Sequence, residues 1–315
     1  GTVRFITNQP NLNETEASLE VDANTVTDGG IGGHLKGMVN QPFMDGKAAF
    51  RAVGYYTEYA GFIDALREDG SIDEDVNDGS RIGGRIALSF EPTDNFSITP
   101  RIVYQEVFNL FANPFTPPRP AVTFDERQQF LLLDEEFKDE TLIGDLTVNY
   151  GFGGVDFTSI TSYTEREILV SRDGSALTGS VSVDLGFPDS AVTLPANLRD
   201  TTDVEQITQE LRLSSNNESR FQWLIGGFYA DTQRVYTQRL PTPGYDAATD
   251  ATLGVGTAAA VANGFPADSP FNSDLPYDLT QYAIFGEASY DLTEKLTLTA
   301  GGRYYDFEET RDIKT

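Results

Sequence analysis

Apolar and polar residues alternate with a period of two through most of the chain, and helical periodicity is almost missing. In residues 81–91, Ile82, Ile86, Leu88 and Phe90 share one face of an extended segment, opposite Arg81, Arg85, Ser89 and Glu91. After a turn at Thr93-Asp94-Asn95, Phe96, Ile98, Ile102 and Tyr104 oppose Ser97, Thr99, Arg101 and Gln105. Segments 142–150, 206–214 and 296–305 repeat the device. The pattern predicts about 11 strands, near 17–27, 31–43, 47–59, 81–91, 96–107, 141–150, 155–168, 204–215, 220–236, 279–291 and 296–309. Most hold about 10 to 13 residues, against about 5 or 6 for a common strand, and roughly 9 to 11 suffice to cross a bilayer at a tilt.

The connections alternate in size. Tight turns are expected at Met44-Asp45-Gly46, Thr93-Asp94-Asn95, Gly151-Phe152-Gly153-Gly154, Asn216-Asn217-Glu218-Ser219 and Thr293-Glu294-Lys295. Between them lie a short loop at Asp28-Gly29-Gly30 and long ones near 60–80, 108–140, 169–203 and 237–278. In an antiparallel sheet, alternate connections fall at opposite ends, so one end carries turns and the other carries long loops. Membrane β-barrels show this asymmetry, and a soluble sandwich has no reason to keep it. The expected fold is therefore all-β, a transmembrane antiparallel β-barrel.

Composition narrows the function. The 315 residues include 22 Lys and Arg against 49 Asp and Glu, a formal charge of -27. Such a surface repels nucleic acid and offers no basic patch for anionic lipid. With no Cys, there is no disulfide, thiolate catalysis or Cys-bound zinc. No segment reaches the roughly 18 to 20 apolar residues of a membrane helix, which excludes helical spans only.

Several segments resemble the TonB-dependent outer-membrane receptors. "GTVRFITNQP", a strand ended by Pro10, is similar to the last strand of that family's plug domain. "GMVNQPFMDGKAAFRAVGYYTEYAGFID" resembles its second and third barrel strands with their turn. "TQELRLSS" with "FQWLIGGFYAD", and "YAIFGEASYDLTEKLTLTAGGRYYDFEE", resemble later hairpins. Siderophore receptors and their relatives are the nearest in kind. The resemblance implies a barrel of 22 strands around an N-terminal plug, of which about 11 strands are present: 1–10 the end of the plug, 11–315 the first half of the barrel. It further implies import of a scarce nutrient complex such as a ferric siderophore, with no enzymatic step and no cofactor. The implied setting is the outer membrane of a Gram-negative bacterium, in contact with lipid and lipopolysaccharide. Energy would come from the TonB complex, through an N-terminal region that this sequence does not contain. A passive porin or structural barrel without a plug is the alternative, and a soluble acidic β-protein a third reading.

Candidate sites follow from faces and loops. Arg51, Arg85, Arg101, Arg212 and Arg303 fall on polar strand faces and are expected in the lumen, either paired with lumen or plug carboxylates or forming a path for an anionic substrate. Loop aromatics Phe108, Phe111, Phe115, Tyr245 and Phe271 are candidates for substrate capture, or pack the loops together. In "DEDVNDG", Asp73, Asp75 and Asn77 follow a calcium-loop spacing, but Asp78 stands where Gly is needed and no bidentate Glu follows. A solvated acidic loop is the favoured reading there. The single His, His34, reads as an ordinary lumen or rim residue.

Overall fold

In a computed structural model, which describes residues 7–110 and 125–315, the chain forms one 11-stranded antiparallel sheet in sequence order. Its strands are β1 (Glu16–Thr25), β2 (Ile31–Phe43), β3 (Ala48–Tyr59), β6 (Gly79–Thr93), β7 (Phe96–Leu110), β9 (Glu136–Gly151), β10 (Val155–Asp173), β11 (Asn197–Ser215), β12 (Phe221–Arg239), β13 (Asn272–Thr293) and β14 (Leu296–Arg311). A satellite sheet joins three short loop strands, β4 (Asp64–Leu66), β5 (Ile72–Asp73) and β8 (Gln128–Phe130), with β4 and β8 parallel. Every strand of the large sheet pairs with its neighbours in sequence, and β1 and β14 form the two edges.

The predicted end-to-end asymmetry is present. One end carries turns, among them Met44-Asp45-Gly46, where all three residues have positive φ and Lys47 N–H donates to the Met44 carbonyl. The other end carries the long connections. These are shorter than expected because the strands run on: β10 continues to Asp173, β11 begins at Asn197, and β13 begins at Asn272. The stretches 169–173, 197–203, 237–239 and 272–278, expected as loop, are thus strand. Among the described residues, four helices occupy two of the remaining loops: α1 (Ser175–Asp184), α2 (Asp189–Val192), α3 (Tyr245–Leu253) and α4 (Thr257–Val261).

The register assigns the faces. Across the strands, Arg51 pairs with Ala87, Ala87 with Arg101, Arg101 with Asp145, Asp145 with Ser162, and Ser162 with Thr208. Paired residues share a face, so this polar row marks the inner wall. The adjacent row, Ala52, Ile86, Ile102, Gly144, Tyr163 and Ile207, marks the outer one. Outer residues are left open to the surroundings: Ile86 is 61% exposed, Ile225 50% and Ile284 65%. A water-soluble protein does not present so continuous an apolar surface; hydrocarbon does not penalise it. No helix among the described residues is long and apolar enough to cross a membrane.

Candidate functional site

The outer face is graduated along each strand. In β3, β7, β10, β12 and β14, all running from turn end to loop end, the ninth residue is Tyr56, Tyr104, Tyr163, Tyr229 and Tyr304. Two residues further, on the same face, stand Glu58, Glu106, Glu165, Asp231 and Asp306. About 9 tilted residues at about 3.3 Å each rise about 21 Å, close to the band of about 25 Å that a barrel presents to lipid. The tyrosines therefore form the girdle at the loop-side interface, with a carboxylate belt just beyond it. Several phenols donate to that belt: Tyr56 to Glu58, Tyr104 to Glu140 at 3.1 Å, and Tyr229 to Asp231 at 3.4 Å. Sequence reasoning missed this motif, although Tyr-x-Glu or Tyr-x-Asp is written plainly at each site.

The inner wall carries all five arginines expected there. Arg51 Nη1 donates to Glu16 at 3.0 Å, and Arg101 Nε to Asp145 at 2.7 Å. Arg212 pairs with Glu210, and the Arg303 guanidinium lies 5.4 Å from the ring centroids of both Phe228 and Phe285. Arg85 pairs in register with Val53 and Val103, one inward position along β6 from Ala87 and so diagonal to both Arg51 and Arg101, and no carboxylate meets it among the described residues. Other inner pairs join Arg166 to Asp139 and Arg172 to Asp200. His34 Nε2 lies 2.8 Å from Glu20, which Lys36 also approaches at 3.8 Å.

The segment ahead of β1 is fastened to this wall. Arg101 Nη1 donates to the Thr7 hydroxyl at 2.7 Å. The fully buried Asn40 accepts from Asn11 N–H at 2.8 Å and donates to the carbonyls of Asn11 and Glu14 at 2.9 and 2.8 Å. The expected plug strand lies mostly in residues 1–6, outside the described residues.

The loop aromatics scatter. Tyr245 is 6% exposed and packs against Phe187, ring centroids 5.5 Å apart, so it ties α3 to the α1–α2 loop and presents no free ring. Phe108 pairs in register with Ser80 and Lys138 on the outer face, which removes it from the lumen. Phe271 stays exposed beside the start of β13, its carbonyl accepting from Leu240 N–H. Phe111 and Phe115 lie outside the described residues.

The acidic loop also disperses its candidates. Asp73 accepts from Arg67 Nε at 2.6 Å, Asn77 Oδ1 caps the N–H groups of Phe62 and Ile63 at 2.7 and 2.8 Å, and Asp75 adopts positive φ with its N–H on Asp64. Among the described residues, no three acidic or His side chains converge on a point that could hold a metal. Burial, then the nearby charges of Glu58 and Asp75, push the Asp78 carboxyl above its usual range.

Long antiparallel strands, an apolar outer band with an aromatic girdle and a charged inner wall define the fold as a transmembrane β-barrel. The chain is similar in structure to the ferric yersiniabactin uptake receptor FyuA from Yersinia pestis, with a TM-score of 0.66 at 12% identity over 98% of this chain and 44% of that one. It is also similar to the siderophore receptor PiuA from Acinetobacter baumannii, with a TM-score of 0.49 at 13% identity over 95% and 46% of the two chains. The chain thus spans less than half the length of either. No family model matches it.

Proposed function

We propose that the chain belongs to a TonB-dependent outer-membrane transporter of a Gram-negative bacterium, importing a scarce nutrient complex such as a ferric siderophore. The observation that carries the reading is the agreement of nearly the whole chain with one part of a ferric-siderophore uptake receptor. Two features of the wall support it. A chain segment is fixed against the lumen face ahead of β1, as a junction between a plug and the barrel requires. The loop end is structured by helices and a satellite sheet, suited to selecting a ligand. The outer band and girdle would meet lipid and the loop-side leaflet, with lipopolysaccharide as neighbour. In this reading 1–10 closes the plug and 11–315 is the first half of the barrel.

The test is uptake of radioactive iron from a panel of chelates by cells with and without the gene, each with tonB intact or deleted. Uptake of one chelate that needs both genes is the expected result. Uptake that needs this gene but persists without tonB would establish a passive pore and sink the reading.

A further inference from the structure

The inner wall between β2 and β7 holds a cavity of about 610 Å³ lined by His34, Lys36, Tyr55, Arg81 and Arg85, with Thr7 at its side. That size suits a small organic ligand. Its charges do not balance internally. The lining includes one carboxylate, Glu20, and both His34 and Lys36 already lean on it. Arg81 lies over the Tyr55 ring at 5.3 Å, and its Nε is buried with no hydrogen-bond acceptor. Tyr55 is itself held in place, its hydroxyl donating to Gln105 at 2.8 Å. Arg85 has neither an ion pair nor a hydrogen bond among the described residues, while its neighbours Arg51 and Arg101 each have a carboxylate of their own. Arg51, Arg101, Arg166, Arg172 and Arg212 on the same wall each meet a carboxylate and Arg303 rests on two phenylalanine rings, so two guanidiniums without a carboxylate on one strand stand out.

We propose that Arg81 and Arg85 form an oxyanion site on the barrel wall, taking a ligand with carboxylate groups. The two residues share a face of β6 four positions apart, about 13 Å between their Cα atoms, a gap that two long side chains reaching toward each other can close on one polycarboxylate. Gly83 lies between them on that face, and the Tyr55 hydroxyl fills the space above it. The phenol thus sets a polar, ring-backed floor between the two forks. Guanidiniums bind carboxylates through paired N–H donors, which gives the site both its charge and its preference for planar oxyanions. The ligand is either a solute in transit or a carboxylate side chain of a plug segment lying in the lumen. The site concerns the wall alone and stands whether transport is energised or passive.

Calorimetric titration of the purified full-length protein in detergent at low salt tests it, with citrate and inorganic phosphate as probes. Arg85→Gln, Arg81→Gln, Arg85→Lys and the control Arg212→Gln are compared, with heat-modifiable gel mobility confirming that each variant remains folded. If the ligand is a solute, citrate binds better than phosphate, Arg85→Gln weakens it by about tenfold or more, Arg85→Lys falls between, and Arg212→Gln has no effect. If the oxyanion is a side chain of the plug, wild type ignores citrate, and Arg85→Gln makes the residues ahead of β1 more sensitive to protease than Arg212→Gln does. Citrate binding indifferent to both Arg81 and Arg85, or no binding together with unchanged protease sensitivity, would overturn the proposal.

Discussion

On the inner face of the sheet, Arg51 meets Glu16, Arg101 meets Asp145, Arg166 meets Asp139 and Arg172 meets Asp200. On the outer face, Glu58, Glu106, Glu165, Asp231 and Asp306 form a belt above the tyrosines, and between β7 and β9 a single ammonium, Lys138, answers Glu106 and Glu140 at 3.4 and 3.1 Å. The two faces are cut from the same strands, yet one neutralises its charges by pairing and the other accumulates them. The difference follows from what each face touches. A charge in a narrow lumen beside low-dielectric wall needs a partner. A carboxylate just outside the hydrocarbon stays in water and ions, so it can remain unpaired at little cost. Much of the chain's acidity thus lies in the belt and the loops, and on the wall of the lumen the arginines without a carboxylate partner among the described residues include Arg81 and Arg85 on one strand and Arg303, which rests on two phenylalanine rings.

The sharpest way to break the comparison is to place the same charge on both faces. Ile225, midway along the outer band of β12, when changed to Arg should cost about 2–4 kcal/mol of unfolding free energy in lipid vesicles. Thr208→Arg on the inner face, beside Ser162 and Ala230, should cost less than about 1 kcal/mol. Equal losses in urea titrations would mean that the assignment of faces is wrong. Arg101→Ala is expected to cost about 1–3 kcal/mol because it strands Asp145, whose side chain is 9% exposed. Adding Asp145→Asn should restore part of that loss, and a double-mutant cycle reads the coupling. Smaller still, Tyr104→Phe removes the phenol that donates to Glu140, for about 0.5–1 kcal/mol. A larger loss would show that the girdle hydroxyls hold the belt together.

Much of this was legible in the sequence where one face meets lipid and the other water. Strand 31–43 was expected with the bounds that β2 has, and the turn-side starts of β7, β10 and β14 agree as well. The loop-side ends were not legible. Beyond the bilayer both faces are wet, so alternation fades: Asn197, Asp200, Thr201, Thr202 and Asp203 read as loop but are the first part of β11. The helices escaped for a related reason, since a segment such as SALTGSVSVD has no apolar stripe to reveal it. Parity was available and went unused for Phe108, which shares a face with Ile102 and Tyr104 and must point outward with them. The inner position of the arginines came from that same parity. The burial of Tyr245 did not, because it depends on Phe187 in another loop.

Loop carboxylates offer the finest test, because they differ in how the fold treats their charge. Asp250 accepts backbone N–H bonds from Ala258 and Gly256 at 2.9 and 3.0 Å, and these hold its carboxyl below the usual range. A lowered pKa means that the folded loop gains from the charge above the unfolded pKa and loses that gain as pH falls through the folded one. Asp78 has the opposite sign: its raised pKa means that the folded loop is favoured by protonation, an advantage lost as pH rises through the folded value. Proteolysis of the loop after β12 should therefore quicken as pH drops from neutral toward the acidic limb. Asp250→Asn should make that loop as sensitive at neutral pH as wild type is in acid. In the loop before β6, Asp78→Asn should slow cleavage at neutral pH and flatten its pH dependence. Two loops that respond in the same direction would show that overall charge, rather than the local hydrogen bonds of Asp250 and the burial of Asp78, governs loop order.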